Sequence, residues 1–293
     1  MAYSIGIDLG GRRVKLALVG GDDNIIDRQA HEIMDEDASW AGQIKQLVHQ
    51  LIEQRGEAPR HIGLAAPGLA AANQRSIAYM PGRMEGLENL NWAELIDCGV
   101  EIPVLNDAHA ALIGEHWKGA AAGFQYAFLL TLGTGVGGAV LIDGKVVTGP
   151  AGRFGHLGHI SLDAAGAPDS LMIPGSLEDA IGDKTVSQRS AGRYETTKML
   201  VDDVARKDPE AVKIWMKSVD LLACGIASLI NVLDPEAVII GGGMIQAGGL
   251  LFQPLGAFMN KYEWRPGGRR AKVFPATLDD FAGAIGAVRF AML

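Results

Sequence analysis

An apolar strand, a glycine turn and a returning strand occur twice in this chain, and that repetition constrains the fold more than any other feature. In the first copy, residues 3–8 and 14–19 flank Gly10-Gly11. In the second, residues 128–132 and 138–142 flank a glycine-rich run that opens at Gly133. Short apolar runs bounded by glycine read as strands joined by tight turns. At 293 residues the chain is long enough for roughly two domains of ~150 residues each. Hydrophobic residues make up 48%, so a sizeable core can be buried.

The rest of the pattern is mixed α/β. Trp40, Ile44, Leu47, Val48, Leu51 and Ile52 recur on one face of a helix. Residues 24–31, 61–65 and 102–105 read as further strands, the second ending at Pro67-Gly68, and a helix begins near Ala108. Asp143-Gly144 is a hairpin turn into a strand at 145–147. Residues 149–176, rich in Gly, Pro, Ala and Asp, read as a functional loop. Asp208 is placed to cap a helix with Pro209 in its first position, apolar and buried around 221–230. Residues 237–240 form a strand running into Gly241-Gly242-Gly243, and residues 279–292 a closing helix.

Composition excludes several classes of function. Lys and Arg number 26 against 34 Asp and Glu, a formal charge of −8, which argues against a nucleic-acid-binding face. Cys98 and Cys224 are the only cysteines and no CxxC occurs, so a reducing compartment is expected. No basic-then-apolar leader opens the chain, and no uninterrupted apolar run reaches the ~18 residues of a membrane span. The expectation is a soluble cytoplasmic protein with no membrane or nucleic-acid partner.

Five constellations carry chemistry. Asp8, beside Gly10 and Gly11, puts a carboxylate at a strand end where bare backbone can approach a phosphate and a hydrated Mg²⁺ can bind. Taken alone, an ordinary Gly-Gly hairpin is the simpler account of it. Gly133-Thr134-Gly135-Val136-Gly137-Gly138 precedes a strand rather than a helix, which speaks against a dinucleotide fingerprint and for a phosphate-gripping hairpin. Asn106-Asp107 sits between strand and helix, where Asp107 is either an N-cap or a general base. Gly241-Gly242-Gly243 is either a tight turn or a surface for adenosine. His156 and His159 are spaced like paired metal ligands, but no nearby cysteine completes a tetrahedral set. A sugar-facing role for His159, or a purely structural one, fits better.

Taken together, these segments resemble the ROK family of the actin/hexokinase-like superfamily. IGIDLGGRRVKLALV at the N-terminus resembles its first phosphate motif, and GLAAPGL at 63–69 its strand-plus-PG segment. VLNDAHAALIGE at 104–115 is similar to the catalytic segment, and LTLGTGVGGAVLIDGKV at 130–146 to the second phosphate motif. GPAGRFGHLGHISLD at 149–163 resembles the sugar segment, and INVLDPEAVIIGGG at 230–243 the adenosine motif. The resemblance implies a two-lobed α/β fold of the ribonuclease H-like kind with a central cleft. A small lobe of residues 1–117 would be rejoined by the helix at 279–293, with 118–278 as the large lobe.

Function follows from the same resemblance. It implies ATP-dependent phosphorylation of a hexose at its 6-hydroxyl, glucose first, with Mg²⁺ as cofactor and a homodimer as the assembly. Asp107 would be the base, and Gly68, Asn106, His156, His159 and Glu178 would bind sugar. Asp8, Gly10, Gly11, Arg12, Gly133, Thr134 and Gly135 would grip the phosphates, and Gly242 and Gly243 would lie by adenosine. Alternatives are a kinase for N-acetylmannosamine, N-acetylglucosamine or fructose, or a non-catalytic sugar sensor of the same fold.

The chain departs from the family pattern at four places. Arg12 stands for Thr, His109 for the second Asn of NDAN, and His156 for the Glu of ExGH. Asp169, Leu171 and Ser176 stand where the zinc-binding cysteines would be, so no zinc is expected. Leu171, Met172 and Ile173 are expected to anchor that loop by apolar packing instead.

Overall fold

The computed structural model describes residues 2–11, 13–33, 39–82, 84–169 and 171–293. Its backbone gathers into two compact units. Residues 1–123, 145–154 and 277–293 form the first, and residues 124–144 and 155–276 the second.

The first unit opens on three antiparallel strands, β1 (Tyr3–Leu9), β2 (Arg13–Gly20) and β3 (Ile25–Glu32). The helix α1 (Trp40–Arg55) turns its Trp40, Ile44, Val48 and Leu51 face into the core and ends at Gly56, whose φ of 69° is the left-handed geometry glycine adopts without strain. The strand β4 (Ile62–Ala66) then pairs parallel with β1. A short hairpin, β5 (Leu69–Ala70) and β6 (Ile77–Tyr79), and the helix α2 (Trp92–Ile96) lead to β7 (Val104–Asn106) and α3 (Asp107–Lys118). The sheet order is β3-β2-β1-β4-β7.

Two later segments complete this unit. One carries the two-residue strand β10 (Lys145–Val146). The other begins at Thr277 and, after the whole second unit, supplies the closing helix that ends the chain, Ala282–Ala291. That helix lies backbone-close on the sheet. A Cβ at Gly6 would sit 1.8 Å from the Ala284 carbonyl oxygen, and one at Gly63 1.9 Å from that of Ala287. Glycine on β1 and β4 is therefore a packing requirement.

The second unit repeats the plan. The strands β8 (Ala127–Leu132) and β9 (Val136–Ile142) are antiparallel, and β11 (Ala237–Gly241) and β12 (Lys272–Pro275) continue from β8 in parallel, in the order β9-β8-β11-β12. Its helices are α4 (Leu177–Ile181), α5 (Val186–Arg189), α6 (Thr197–Ala205), α7 (Pro209–Leu233) and α8 (Gly249–Tyr262). As expected, Asp208 caps α7, accepting the Ala211 N–H at 2.8 Å, and Pro209 occupies its first turn. Trp215, Val219, Leu222 and Ile226 of α7 are buried with Phe128, Leu130, Val238 and Ile240 of the sheet.

Among the described residues, α7 is the one helix long and apolar enough to cross a membrane by length and composition. Its charged residues Lys213, Lys217 and Asp220 break the uninterrupted run, and its apolar face is occupied by the core of the second unit.

Candidate active site

In the first unit, Asp8 lies at the end of β1 with its side chain 13% exposed, opposite Lys15 on β2, whose ammonium is 3.8 Å away. A Cβ on Gly283 would fall 2.7 Å from the Asp8 carboxylate, so the first turn of the closing helix leaves room for this acid only by carrying glycine there. Gly10 closes the adjoining turn by donating its N–H to the Arg13 carbonyl at 2.8 Å, beside half-buried Gly11. Arg12 lies outside the described residues.

Burial pushes the Asp8 carboxyl up to about 7, with Lys15 opposing and the charges of Asp107 and Asp280 reinforcing the shift. The folded protein therefore holds a proton that the unfolded chain releases near its ordinary value of 3.8. Stability falls as pH rises between these two values, because the unfolded chain gains by ionising there while the buried site still holds its proton. Asp8→Asn is expected to melt several degrees above the parent at pH 8 and together with it at pH 4. An equal difference at both pH values would show that Asp8 is not the titrating group.

Asn106 and Asp107 divide their labour differently from the simple capping expectation. Asn106, 5% exposed, is the N-cap of α3, its Oδ1 accepting the N–H groups of Ala108 at 3.0 Å and His109 at 3.2 Å. Its Nδ2 donates to the Gly68 carbonyl at 3.0 Å. Gly68 has φ of 97°, and a Cβ there would meet the Tyr79 carbonyl at 2.6 Å, so this close approach needs glycine. Because Asn106 takes the cap, Asp107 falls in the first helical turn with an exposed side chain, one oxygen accepting the Ala108 N–H at 2.8 Å. His109 is 1% exposed, its Nε2 is 2.8 Å from the Phe154 carbonyl oxygen, and burial holds its imidazole below the usual range.

In the second unit, the turn between β8 and β9 is Gly133-Thr134-Gly135. It is pinned from one side: Asp183 donates its N–H to the Gly133 carbonyl and Lys184 to that of Thr134, each at 2.9 Å. Glu178 supports it as well, its Oε2 accepting the Val136 N–H at 3.0 Å. Beneath lies Arg189, unforeseen from the sequence. Its guanidinium donates to the carbonyls of Gly182 at 2.8 Å, Asp179 at 3.1 Å and Ile181 at 3.3 Å, and to the Thr185 hydroxyl. It thereby satisfies the C-terminal carbonyls of α4, the helix that carries Glu178. Desolvation, opposed by Asp179 and Asp183, lowers Arg189 to about 10, leaving it charged.

A cavity of about 380 Å³ opens beside this turn, lined by Gly133, Thr134, Lys198, Val201, Gly243 and Met244, among others. It joins the phosphate-turn candidates to the glycine run after β11. Gly242 has φ of 82° and a would-be Cβ 2.4 Å from the Leu132 carbonyl oxygen. Lys198 and Val201 were missed, since their sequence signal is no more than Thr196 capping α6 ahead of them, and Met244 was missed although it directly follows the glycine run.

His156 and His159 stack with ring centroids 6.4 Å apart. The following loop corrects the packing expectation: Leu171 is 48% and Met172 76% exposed, so they do not anchor it. Asp169 does. Its Oδ1 accepts the N–H groups of Leu171 at 2.8 Å and Ile173 at 3.0 Å, while its own N–H reaches the Ile173 carbonyl at 2.9 Å. Burial opposes ionisation of Asp169, but these bonds, the Ser176 hydroxyl and His159 together hold its carboxyl below the usual range.

Neither histidine nor Asp169 makes a zinc site. Leu171 has no donor, and the Ser176 oxygen accepts the Asp179 N–H at 3.1 Å as the cap of α4. Among the described residues no group of three or more His, Cys, Asp or Glu could hold a metal ion. The residues do not fit structural zinc, and the protein is expected to melt at the same temperature with and without a strong chelator. A large chelator-induced fall in Tm would reverse this. Asp8, by contrast, fits a Mg²⁺ that keeps its waters and takes most of its ligands from a phosphate substrate, because such an ion asks one carboxylate of the protein.

The ROK family model matches residues 4–292. A glucokinase of Thermotoga maritima is 31% identical over 271 residues, 86% of this chain and 85% of its own. An N-acetylmannosamine kinase of Escherichia fergusonii is 26% identical over 252 residues, 85% of each chain. The crystal structure of a ROK hexokinase from Thermus thermophilus is 25% identical and matches with a TM-score of 0.87 over 99% of this chain and 98% of its own.

Proposed function

The chain belongs to the ROK family, and from that premise we propose that it is a hexose kinase transferring the γ-phosphoryl group of ATP to the 6-hydroxyl of glucose. The fold is the α/β fold of the actin/hexokinase-like kinases. What supports glucose over other sugars is the 31% identity to the Thermotoga glucokinase across most of both chains.

Phosphoryl transfer asks a protein mainly for alignment and for stabilisation of charge. Asp107 is proposed as the base that takes the 6-hydroxyl proton, on the strength of its exposed carboxylate at the start of α3. Asn106 would hold Asp107 in place as well as facing sugar, since its carboxamide already ties Gly68 to the helix start. Glu178, His156 and His159 would bind the ring hydroxyls. The Gly133 turn, with Asp8, Gly10, Gly11 and Arg12, would receive the phosphates, and Gly242 and Gly243 the adenosine, beside the cavity they adjoin. Bound Mg²⁺, held through Asp8, would supply neutralisation of phosphate charge. A cytoplasmic location and a homodimer belong to the same proposal, in line with two unpaired cysteines.

The test is a panel of hexoses and amino sugars with Mg-ATP, read as ADP release. Glucose is expected to give the highest kcat/KM. A preference for N-acetylmannosamine would assign the position of His156 to a different sugar, and no turnover with any sugar would reject the proposal.

A further inference from the structure

We propose that Asp169 is a positioning residue that orients His159 for sugar through its buried carboxylate. This rests on the reading that His159 touches the sugar.

The observation is a pair of complementary buried atoms. The Asp169 side chain is 1% exposed, and its Oδ2 has no hydrogen-bond partner. His159 Nδ1 is likewise buried without one, and the two atoms are 3.8 Å apart. A buried carboxylate oxygen left without a donor is costly, so a small shift that closes this gap is favoured. The other oxygen is already committed to the loop N–H groups of Leu171 and Ile173, which fixes the carboxylate in orientation. The loop is thus built around Asp169, with one oxygen inward to its own backbone and one toward the imidazole.

The consequence is a choice of tautomer. An imidazole that donates Nδ1–H to a carboxylate presents Nε2 as a lone pair, ready to accept from a hydroxyl. His159 would then be an acceptor for the sugar, with its ring plane fixed by Asp169. Partners of this kind, one step removed from the ligand, typically change affinity 10–100-fold when lost. Asparagine at 169 keeps an oxygen for the loop but turns an NH₂ toward the ring, which forces the other tautomer.

Asp169→Asn is expected to raise the sugar KM about tenfold, leaving kcat and the ATP KM within about twofold. His159→Ala should raise the sugar KM at least as much, and adding Asp169→Asn to it should have no further effect. If Asp169→Asn raises KM equally in both backgrounds, or not at all, the proposal is overturned while the role of His159 stands. If His159→Ala leaves the sugar KM unchanged, the sugar-contact reading fails and the proposal with it. A reading that needs no variant is the ¹⁵N spectrum of the parent protein. The Nδ1–H tautomer of His159 is expected at neutral pH, and the Nε2–H tautomer would overturn the assignment.

Discussion

Asp107→Asn is expected to lower kcat by roughly 10²–10⁴-fold while leaving the sugar dissociation constant within a few-fold of the parent. The size follows from what the proposal says is removed: a base that would take the hydroxyl proton as the new O–P bond forms. Binding survives because asparagine has the same shape, can still accept the Ala108 N–H, and leaves the Asn106 cap in place. Folding is not threatened, since the cap of α3 belongs to Asn106. The change also removes one of the negative charges that raise the Asp8 carboxyl, so Asp8 should titrate lower in this variant. Single-turnover rates and equilibrium sugar binding, measured on the same preparation, separate the two effects. A kcat within threefold of the parent would remove Asp107 from the chemistry.

Gly135→Val is the second large effect, and the structure changes its reason. From the sequence, a side chain here stands between backbone amides and phosphates. In the structure, the first obstacle is Glu178: a Cβ on residue 135 would lie 2.3 Å from its Oε2 and 2.9 Å from its Cδ. Because that carboxylate is the far end of a flexible side chain, it can swing away, and stability should fall only modestly. Swinging away breaks its bond to the Val136 N–H and withdraws the proposed sugar ligand in one movement. Losing a hydrogen bond to a charged group costs about 1.5–3 kcal/mol, so kcat/KM should drop by roughly 10- to 150-fold. Gly135→Ala carries the same Cβ and should show most of the loss. A folded valine variant with unchanged KM for both ATP and sugar would take this turn out of the site.

The fold was legible where periodicity is local. The face Trp40, Ile44, Val48 and Leu51, the Asp208-Pro209 start and the two glycine turns each declare themselves within a few residues. What was not legible depends on partners distant in sequence. Nothing near Gly135 announces that Glu178 supports its turn, and nothing near Arg189 that it caps α4 from below. The loop after His159 misled because Leu171, Met172 and Ile173 look like a core segment. A buried carboxylate with two backbone donors outweighed them, letting Leu171 and Met172 face solvent. The division of roles between Asn106 and Asp107 was also hidden, since both are good capping residues and only the backbone geometry selects one.

The helix at Ala282–Ala291, which we label α9, has a consequence for the order in which the protein is made. The first strand emerges early from the ribosome, yet the glycine seam on β1 and β4 waits for a helix translated only after the entire second unit. Domains generally fold as units, the N-terminal one first. Here that order is inverted: residues 124–276, which hold all of the second unit, are in hand while the first still lacks its wall. The nascent chain should show protease resistance in the second unit before the first. A fragment ending at residue 276 should leave open the face of the sheet that carries Gly6, Gly63, Ala17, Ala65 and Leu105, a surface suited to chaperone capture rather than to catalysis.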